Sequence, residues 1–259
     1  MRKMNYIKGT FEKRDYRNNL FKNTPNSFVF LEKIEKSDLF ISVAKKEKIS
    51  LKDKQIIPQK THYYLKNLLQ EIHEFIKINP NFKTSLVPIQ LKKNMPELIK
   101  KMSLLSKPVQ VGPMAGIAGA IAESIGEYLN QYFSDVIIEN GGDIYSNCTS
   151  EKIIKIFSGK SFFSNKIALK IPPQKTGIST SSATIGPSLS FGKTDSATVV
   201  SPSPILADLA ATALGNKVQQ EKDIENALEW LLSLDGISGG IITIGDKIGI
   251  KGDIQIITL

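Results

Sequence analysis

The stretch from Ser203 to Gly215, SPILADLAATALG, constrains the fold of this 259-residue chain more than any other. Ser203 is a good N-cap, Pro204 suits the first position of a helix, and Gly215 suits the residue just past its end. Between these caps every side chain is apolar except Asp208 and Thr212. The pattern predicts a short helix that is buried on most of its surface, so the carboxylate needs a partner.

The two polar residues of this helix are candidates for a metal site. Asp208 and Thr212 are four residues apart and therefore lie on one face of the helix. Their oxygen atoms are hard ligands that suit Mg²⁺ shared with substrate phosphates. A structural interpretation is equally open, in which backbone amides of a neighbouring loop satisfy the aspartate.

A second unusual stretch, GISTSSATIGPSLSFGKTD, covers residues 177–195 and contains eight hydroxyl side chains. It is not a phosphate-binding P-loop, because five residues rather than four separate Gly186 from Gly192, and a β-branched strand follows instead of a helix. Its apolar residues are spaced as anchors, which favours a loop facing a phosphate, a ribose or a flavin edge. A solvated loop is the alternative. The expected ligand contacts are Thr180, Ser181, Ser182, Thr184, Ser188 and Ser190.

Three basic residues are candidates for neutralising a phosphate. Arg14 and Arg17, in the segment RDYR, offer two planar guanidinium groups suited to phosphate. Lys193 lies near the end of the hydroxyl-rich stretch. We therefore expect these residues to contact an anionic ligand.

The segment DVIIENGGD, residues 135–143, is typical of a buried strand that ends in polar residues around a glycine pair. Gly141 and Gly142 permit positive φ and allow a ligand to touch the backbone, with Asn140 and Asp143 on either side. The same four residues also form an ordinary turn in many proteins.

Charge and composition exclude several classes of protein. The chain has 23 basic and 10 acidic residues up to Lys107, but 11 basic and 15 acidic residues from Pro108 onward. The basic residues are scattered and lack an accompanying aromatic motif, which argues against nucleic acid as a partner. The absence of a long apolar run or a secretion signal predicts a cytoplasmic protein with no membrane partner. Cys148, the single cysteine, is expected to be an inert thiol.

Periodicity predicts the order of helices and strands. The helix at 114–133 is rich in glycine and alanine, which allow another backbone to approach closely. Both histidines, His62 and His73, fall on one helix without further metal ligands, so we assign them to the surface or to packing. The predicted elements are a hairpin of strands 27–34 and 38–43, helices 62–77 and 114–133, strands 135–139, 152–157, 165–171 and 197–200, helices 204–214 and 223–232, and a final hairpin at 240–258.

Several of these motifs resemble a known superfamily. ENGGDIYS and TVVSPSPILADLAATALG are similar to the two signature regions of the ApbE-like superfamily, whose flavin-transferase members carry an Asn-x-Gly-Gly-Asp-like turn and an Ala-Asp-x-x-Ala-Thr helix. VGPMAGIAGAIAE, TSSATIGPSLSFGKTD and the early RDYR further resemble an uncharacterised ApbE-related family of archaea and anaerobic bacteria. The resemblance extends from Arg14 to about Gly215.

The resemblance implies a fold and a ligand. It implies a single α+β domain over residues 1–259, T-fold-like, with layered sheets and helices around a central cleft, a basic part at 1–107 and a core at 108–259. Asp208 and Thr212 match the metal-binding positions of the superfamily, and Gly141, Gly142 and Asp143 match its flavin-nucleotide turn. FAD or FMN with Mg²⁺ is therefore the expected cofactor set, and a homo-oligomer or a protein partner is compatible with the sequence.

Two departures from the superfamily bear on activity. The flavin transferases carry a His-x-x-Asp-Pro segment, but the corresponding region here, GKSFFSNKIALKIPPQKTG, has no histidine, which argues against covalent flavin transfer. In the smaller family Ser179 is often a cysteine, and its members are associated with sulfide assimilation into homocysteine. Three interpretations stay open: a Mg²⁺-dependent flavin enzyme or binding protein, an accessory protein of sulfur metabolism, and a scaffold with a vestigial cleft.

Overall fold

A computed structural model describes residues 26–159, 161–182 and 192–259. Its helices are α1 (Leu51–Ile78), α2 (Asn81–Thr84), α3 (Glu97–Val109), α4 (Ile117–Leu129), α5 (Pro204–Lys217) and α6 (Ile224–Leu232), with 3₁₀ turns at Pro113–Gly116 and Glu221–Asp223. Its strands are β1 (Ser27–Ile34), β2 (Ser37–Ala44), β3 (Asp135–Asn140), β4 (Asp143–Asn147), β5 (Lys152–Lys155), β6 (Ile167–Ile171), β7 (Thr176–Ser181), β8 (Ser196–Ser201), β9 (Gly239–Ile244), β10 (Lys247–Gly252) and β11 (Gln255–Thr258). The predicted contacts Arg14, Arg17, Thr184, Ser188 and Ser190 lie outside these residues.

The strands form two antiparallel sheets. The larger sheet has eight strands in the order β1-β2-β3-β4-β7-β8-β9-β10, and the smaller has three in the order β11-β6-β5. Strands β1 and β2 pair along their whole length, from Ser27 with Ala44 to Ile34 with Ser37, which confirms the predicted hairpin. The α+β class with layered sheets and helices is confirmed.

The alternation of side chains along β8 explains why three layers form. Ala197 and Val199 join the apolar core beneath the helices, whereas Val200 joins a second core beneath the small sheet. A strand that is apolar on both faces is stable only when both faces are covered. The helices therefore cover one face of the large sheet, and the small sheet covers part of the other.

Helix α5 lies at the centre of the helical layer. Every residue from Pro204 to Gly215 is buried except Thr212, which is partly buried. Ser203 caps the helix by accepting a hydrogen bond from the Leu206 amide at 3.3 Å, as predicted. The predicted end at Gly215 is wrong, because the helix continues to Lys217 and caps at Val218. Gly215 is instead a packing position within the helix.

Other boundaries also differ from the prediction. Helix α1 begins at Leu51 rather than at residue 62, because Ser50 caps it and Pro58 is accommodated inside it. The first part of the hydroxyl-rich stretch is the strand β7 rather than a loop. The C-terminal hairpin is β9–β10 alone, and β11 pairs with β6 in the small sheet. Among the residues described, no helix is long and apolar enough to span a membrane.

Candidate ligand site between α5 and β7

The glycine pair at 141–142 forms the tight turn between β3 and β4. Gly141 and Gly142 have φ values of 70° and 107°, which residues with a side chain rarely adopt. The Gly142 amide donates to Glu139 Oε1 at 2.9 Å, and Asn140 Nδ2 donates to the Ala118 carbonyl at 3.2 Å. The turn is therefore fastened both to its own strand and to the beginning of α4.

Asp208 caps the beginning of helix α4. Its Oδ2 atom accepts a hydrogen bond from the Gly119 amide at 2.8 Å, so a backbone donor compensates one carboxylate oxygen. Burial raises the pKa of Asp208 to about 7, against the opposing hydrogen bonds from the amides of Gly119 and Ala118. The Gly119 amide is thus the backbone partner that the structural interpretation of this aspartate requires. The raised pKa shows that the carboxylate is still destabilised by burial, so a cation would stabilise it further.

Asp143 lies within electrostatic range of Asp208, although the two are far apart in sequence. Asp143 is partly buried on the first residue of β4. Burial and the charge of Asp208 raise the pKa of Asp143 well above its usual value, the Ser179 hydroxyl opposes this shift, and Glu139 adds to it. Because two adjacent carboxylates repel each other when both are ionised, the pair favours a shared proton or a cation.

The hydroxyl side chains of β7 divide between the two faces of the sheet. Thr180 points away from α5 and shares a hydrogen bond of 2.9 Å with Thr198. Ser179 and Ser181 lie on the opposite face, which is the face towards α5. Ser182 follows the strand and is partly buried. Of the predicted contacts on β7, the structure brings only Ser181 together with the α5 side of the sheet.

Lys193 lies at the other end of α5 from Asp208. It is exposed, and its amide donates to the Val218 carbonyl at 2.9 Å. Val218, the residue that caps the end of the helix, is ten positions after Asp208, which corresponds to about 15 Å along the axis. The predicted contacts that the structure brings together therefore lie along a polar strip between α5 and β7, which we call the seam. Asp208 and Asp143 lie at its acidic end, and Lys193 lies near the end of the helix.

Glu123 is a buried carboxylate that the sequence interpretation overlooked. It is 2% exposed, and its Oε1 atom accepts hydrogen bonds from Lys101 Nζ at 2.7 Å and Lys175 Nζ at 2.8 Å. Its Oε2 atom accepts from Ser203 Oγ and from the Ile205 amide, both at 3.3 Å. Glu123 of α4 thus caps α5, just as Asp208 of α5 caps α4. A glutamate that directly follows the apolar run from Ile117 to Ala122 is the signal that could have identified it.

The donor atoms around Asp208 fit a cation that is shared with a ligand. Within the described residues, no group of three or more histidine, cysteine, aspartate or glutamate side chains is placed to hold a metal ion. The available atoms are the carboxylate oxygens of Asp208 and Asp143 and the hydroxyl of Thr212. Mg²⁺ accepts such oxygen ligands and commonly completes its shell with water and substrate phosphates.

Comparisons with known proteins identify the family to which this arrangement of a helical layer and a large antiparallel sheet belongs. A family model described as AbpE bacteria matches residues 22–230. A UPF0280 protein of Methanocaldococcus jannaschii is 38% identical over 221 residues, covering 82% of this chain and 89% of its own length. Another from Methanothrix thermoacetophila is 38% identical over 188 residues, covering 71% and 78%. The chain belongs to this ApbE-like family.

Solved structures support the same fold at low sequence identity. The apo flavinyl transferase ApbE of Pseudomonas stutzeri superimposes with a TM-score of 0.55 and 12% identity, covering 87% of this chain and 94% of that one. The flavin transferase ApbE of Vibrio cholerae gives 0.50 and 14%, covering 87% and 96%. At 12% and 14% sequence identity, these similarities establish the fold alone.

Proposed function

We propose that this protein binds a flavin nucleotide, FAD or FMN, together with Mg²⁺ at the seam between α5, β4 and β7. The observation that carries the proposal is the buried carboxylate of Asp208, which accepts a hydrogen bond from the Gly119 amide and whose charge raises the pKa of Asp143. This pair of carboxylates is costly unless a proton or a cation compensates it. The flavin part of the proposal rests on the ApbE fold of the solved structures.

Each element contributes a defined group to the proposed site. Asp208, Asp143 and Thr212 supply oxygen ligands for Mg²⁺, and the exposed Lys193 supplies positive charge for a phosphate. The turn at Gly141 leaves open space, since a Cβ atom built there would have no neighbour within 4 Å. Bound Mg²⁺ would neutralise phosphate charge and polarise a phosphate ester or pyrophosphate bond.

Covalent flavin transfer is not part of the proposal. Both histidines lie on α1, where His62 pairs with Glu32 at 2.8 Å and His73 with Glu35 at 3.3 Å. These partners belong to the hairpin at the β1 edge, four positions from β7 in the sheet order. Among the described residues the seam therefore offers no imidazole for a proton-transfer step, and pyrophosphate cleavage would rely on the metal and on carboxylates.

The alternative role in sulfur metabolism has less support from the site. Cys148 is buried, 4% exposed, and burial raises the pKa of its thiol. Its Sγ atom lies 3.8 Å from Ser146 Oγ and 3.9 Å from the Val136 carbonyl. A thiol of this kind is a poor nucleophile at neutral pH. The position at which the smaller family often has a cysteine is Ser179 here, so it supplies no second thiol. If no ligand binds, the third interpretation, a scaffold with a vestigial cleft, is the one that stands.

A binding experiment tests the proposed function. FAD affinity should be measured with Mg²⁺ and with a chelator, and AMP release should be followed in the same mixtures. Asp208→Asn preserves the acceptor for the Gly119 amide but removes the charge, so we expect it to lose the Mg²⁺-dependent part of FAD affinity, roughly tenfold or more. Asp135→Asn is the matched control, because Asp135 also accepts a backbone amide, that of Thr149, at 2.6 Å. Equal FAD affinity with and without Mg²⁺ would contradict the proposal.

A further inference from the structure

Beside Gly215, in the interior of α5, there is a gap about as large as one methyl group, which we call the void. A Cβ atom built on Gly215 would lie 3.6 Å from Thr194 Oγ1, 3.7 Å from Ala197 Cβ and 3.8 Å from Ser181 Oγ. These are ordinary van der Waals distances, so an alanine would fit without displacing its neighbours. The chain has a glycine where a better helix former would be accommodated, which leaves the void open.

Two hydroxyl groups that border this void have no partner. Ser181 Oγ and Thr194 Oγ1 are buried and make no hydrogen bond to any residue in the described part of the chain. Thr194 is 0% exposed and Ser181 is 8% exposed. An unsatisfied buried hydroxyl destabilises the folded state, so two of them around one point need a compensating ligand or water.

The hydroxyl groups on the other face of the same strands are fully paired. Ser196 Oγ donates to Ser158 Oγ at 2.8 Å and lies 2.8 Å from Thr243 Oγ1. Thr180 and Thr198 pair with each other. These hydroxyl groups on the face towards the small sheet are therefore hydrogen-bonded, whereas the unsatisfied hydroxyl groups lie on the face towards α5.

The void continues the proposed ligand site along the helix. Asp208, Thr212 and Gly215 are spaced i, i+4 and i+7, so they share one face of α5. Strand β7 runs beside that helix, since Gly177 packs against Pro204 at its beginning and Ser181 lies near Gly215. The neutral void thus follows directly after the acidic end of the seam.

We propose that the void at Gly215 is a subsite for an uncharged hydroxyl group of the ligand, as carried by a sugar or a sugar alcohol. The three atoms nearest the void are uncharged, and two of them are hydroxyl oxygens that have no partner. Ser181 and Thr194 each donate to and accept from such a group. In the proposed function, on which this assignment rests, the group is a hydroxyl of the ribityl chain of the flavin.

The test compares riboflavin with lumiflavin, which lacks the ribityl chain. Gly215→Ala fills the void, while Ser181→Ala and Thr194→Val each remove one hydroxyl; Ser196→Ala, on the opposite face, is the control. We expect wild type and S196A to prefer riboflavin by roughly tenfold, and the three seam variants to lose most of that preference. Without ligand, the melting temperature of the seam variants should equal or exceed that of the wild type, because an unsatisfied hydroxyl or a helix glycine is removed.

The outcomes separate this inference from the proposed function. If wild type binds FAD but the seam variants keep the riboflavin preference, the void holds water or nothing, and only the inference is overturned. If wild type binds no flavin, the proposed function fails, and the same variants are screened with ribitol, ribose and adenosine. Thermal stabilisation of wild type and S196A alone by one of these would support the subsite, and stabilisation by none would overturn it.

Discussion

At the scale of single residues, Gly119 determines how closely α4 and α5 approach. A Cβ atom on Gly119 would collide with the Pro204 carbonyl and with Asp208 Cβ. The same position supplies the amide that caps Asp208. The glycine therefore has two roles, close packing and the positioning of a carboxylate, and the alanine-rich, glycine-rich sequence of α4 correctly predicted the first of them.

We expect Gly119→Ala to destabilise the protein by about 2 kcal/mol, because the helices must move apart to accommodate the methyl group. Urea denaturation measures the change in the free energy of unfolding. Gly141→Asn is the control, since Gly141 has open space around it and asparagine tolerates a φ of 70°. Equal stability of Gly119→Ala and wild type would show that the helix contact is looser than the structure describes.

The residue pairs of the site were predictable only in part. Asp208 was identifiable because it is the single carboxylate of an apolar helix, whereas Glu123 shares its helix with Glu127 and gives a weaker signal. The proximity of Asp143 to Asp208 had no local signal, because it depends on the pairing of β4 with β7 and on the packing of α5 over β7. Long-range register of this kind is set by tertiary packing.

At the scale of elements, Glu123 fastens three pieces of the fold together. It belongs to α4, it accepts from the beginning of α5, and it pairs with Lys175 directly before β7. Burial raises the pKa of Glu123, but the hydrogen bonds from Lys101 and Lys175 outweigh that effect and lower the pKa below its usual value. A lowered carboxyl pKa stabilises the fold above the ordinary pKa, and the stabilisation is lost as pH falls through the lowered value.

We expect Glu123→Gln to destabilise the protein at pH 7 by about 2 kcal/mol, a value discounted for the partial exposure of both lysines. The difference from wild type should shrink as the pH falls from the ordinary glutamate pKa through the lowered pKa of Glu123, because the wild-type carboxylate then becomes protonated. Denaturation curves at a series of pH values test this. Glu127→Gln is the control, because Glu127 pairs with the same Lys175 but is 52% exposed. A difference that does not depend on pH would exclude the ion-pair explanation.

Element boundaries were predictable where local chemistry determines them. The cap at Ser203 and the β1–β2 hairpin follow from residues within a few positions of each other. Helix α3, ELIKKMSLLSKPV, was missed because Pro108 and its lysines obscure an apolar face that packs on α5. The sequence of β7 indicates a loop, because the residues that face α5 are glycine and serine rather than apolar and give no strand pattern.

At the scale of the whole molecule, the small sheet supports the seam from the opposite face. Ile178 of β7 and Val200 of β8 belong to the apolar core that the small sheet covers. These are the same strands whose other faces carry Ser179, Ser181 and Ala197 towards α5. The position of the proposed ligand site thus depends on packing beneath the sheet as well as on contacts at the site.

Strand β11 provides a test of that dependence, because it pairs with β6, and because Ile256 on the strand and Ile254 directly before it pack against the core beneath β7 and β8. A chain that ends at Asp253 loses this pairing and the burial of both isoleucines, so we expect the free energy of unfolding to fall by about 3 kcal/mol. Ile250→Ala is the control, since Ile250 on β10 is 47% exposed and should cost under about 1 kcal/mol.

Urea denaturation gives the stability, and hydrogen exchange shows where it is lost. If the amides of β7 and β8 exchange faster in the shortened chain while those of α1 are unchanged, the small sheet holds the two strands that carry the seam; equal protection in both chains would show that the helical layer alone is sufficient.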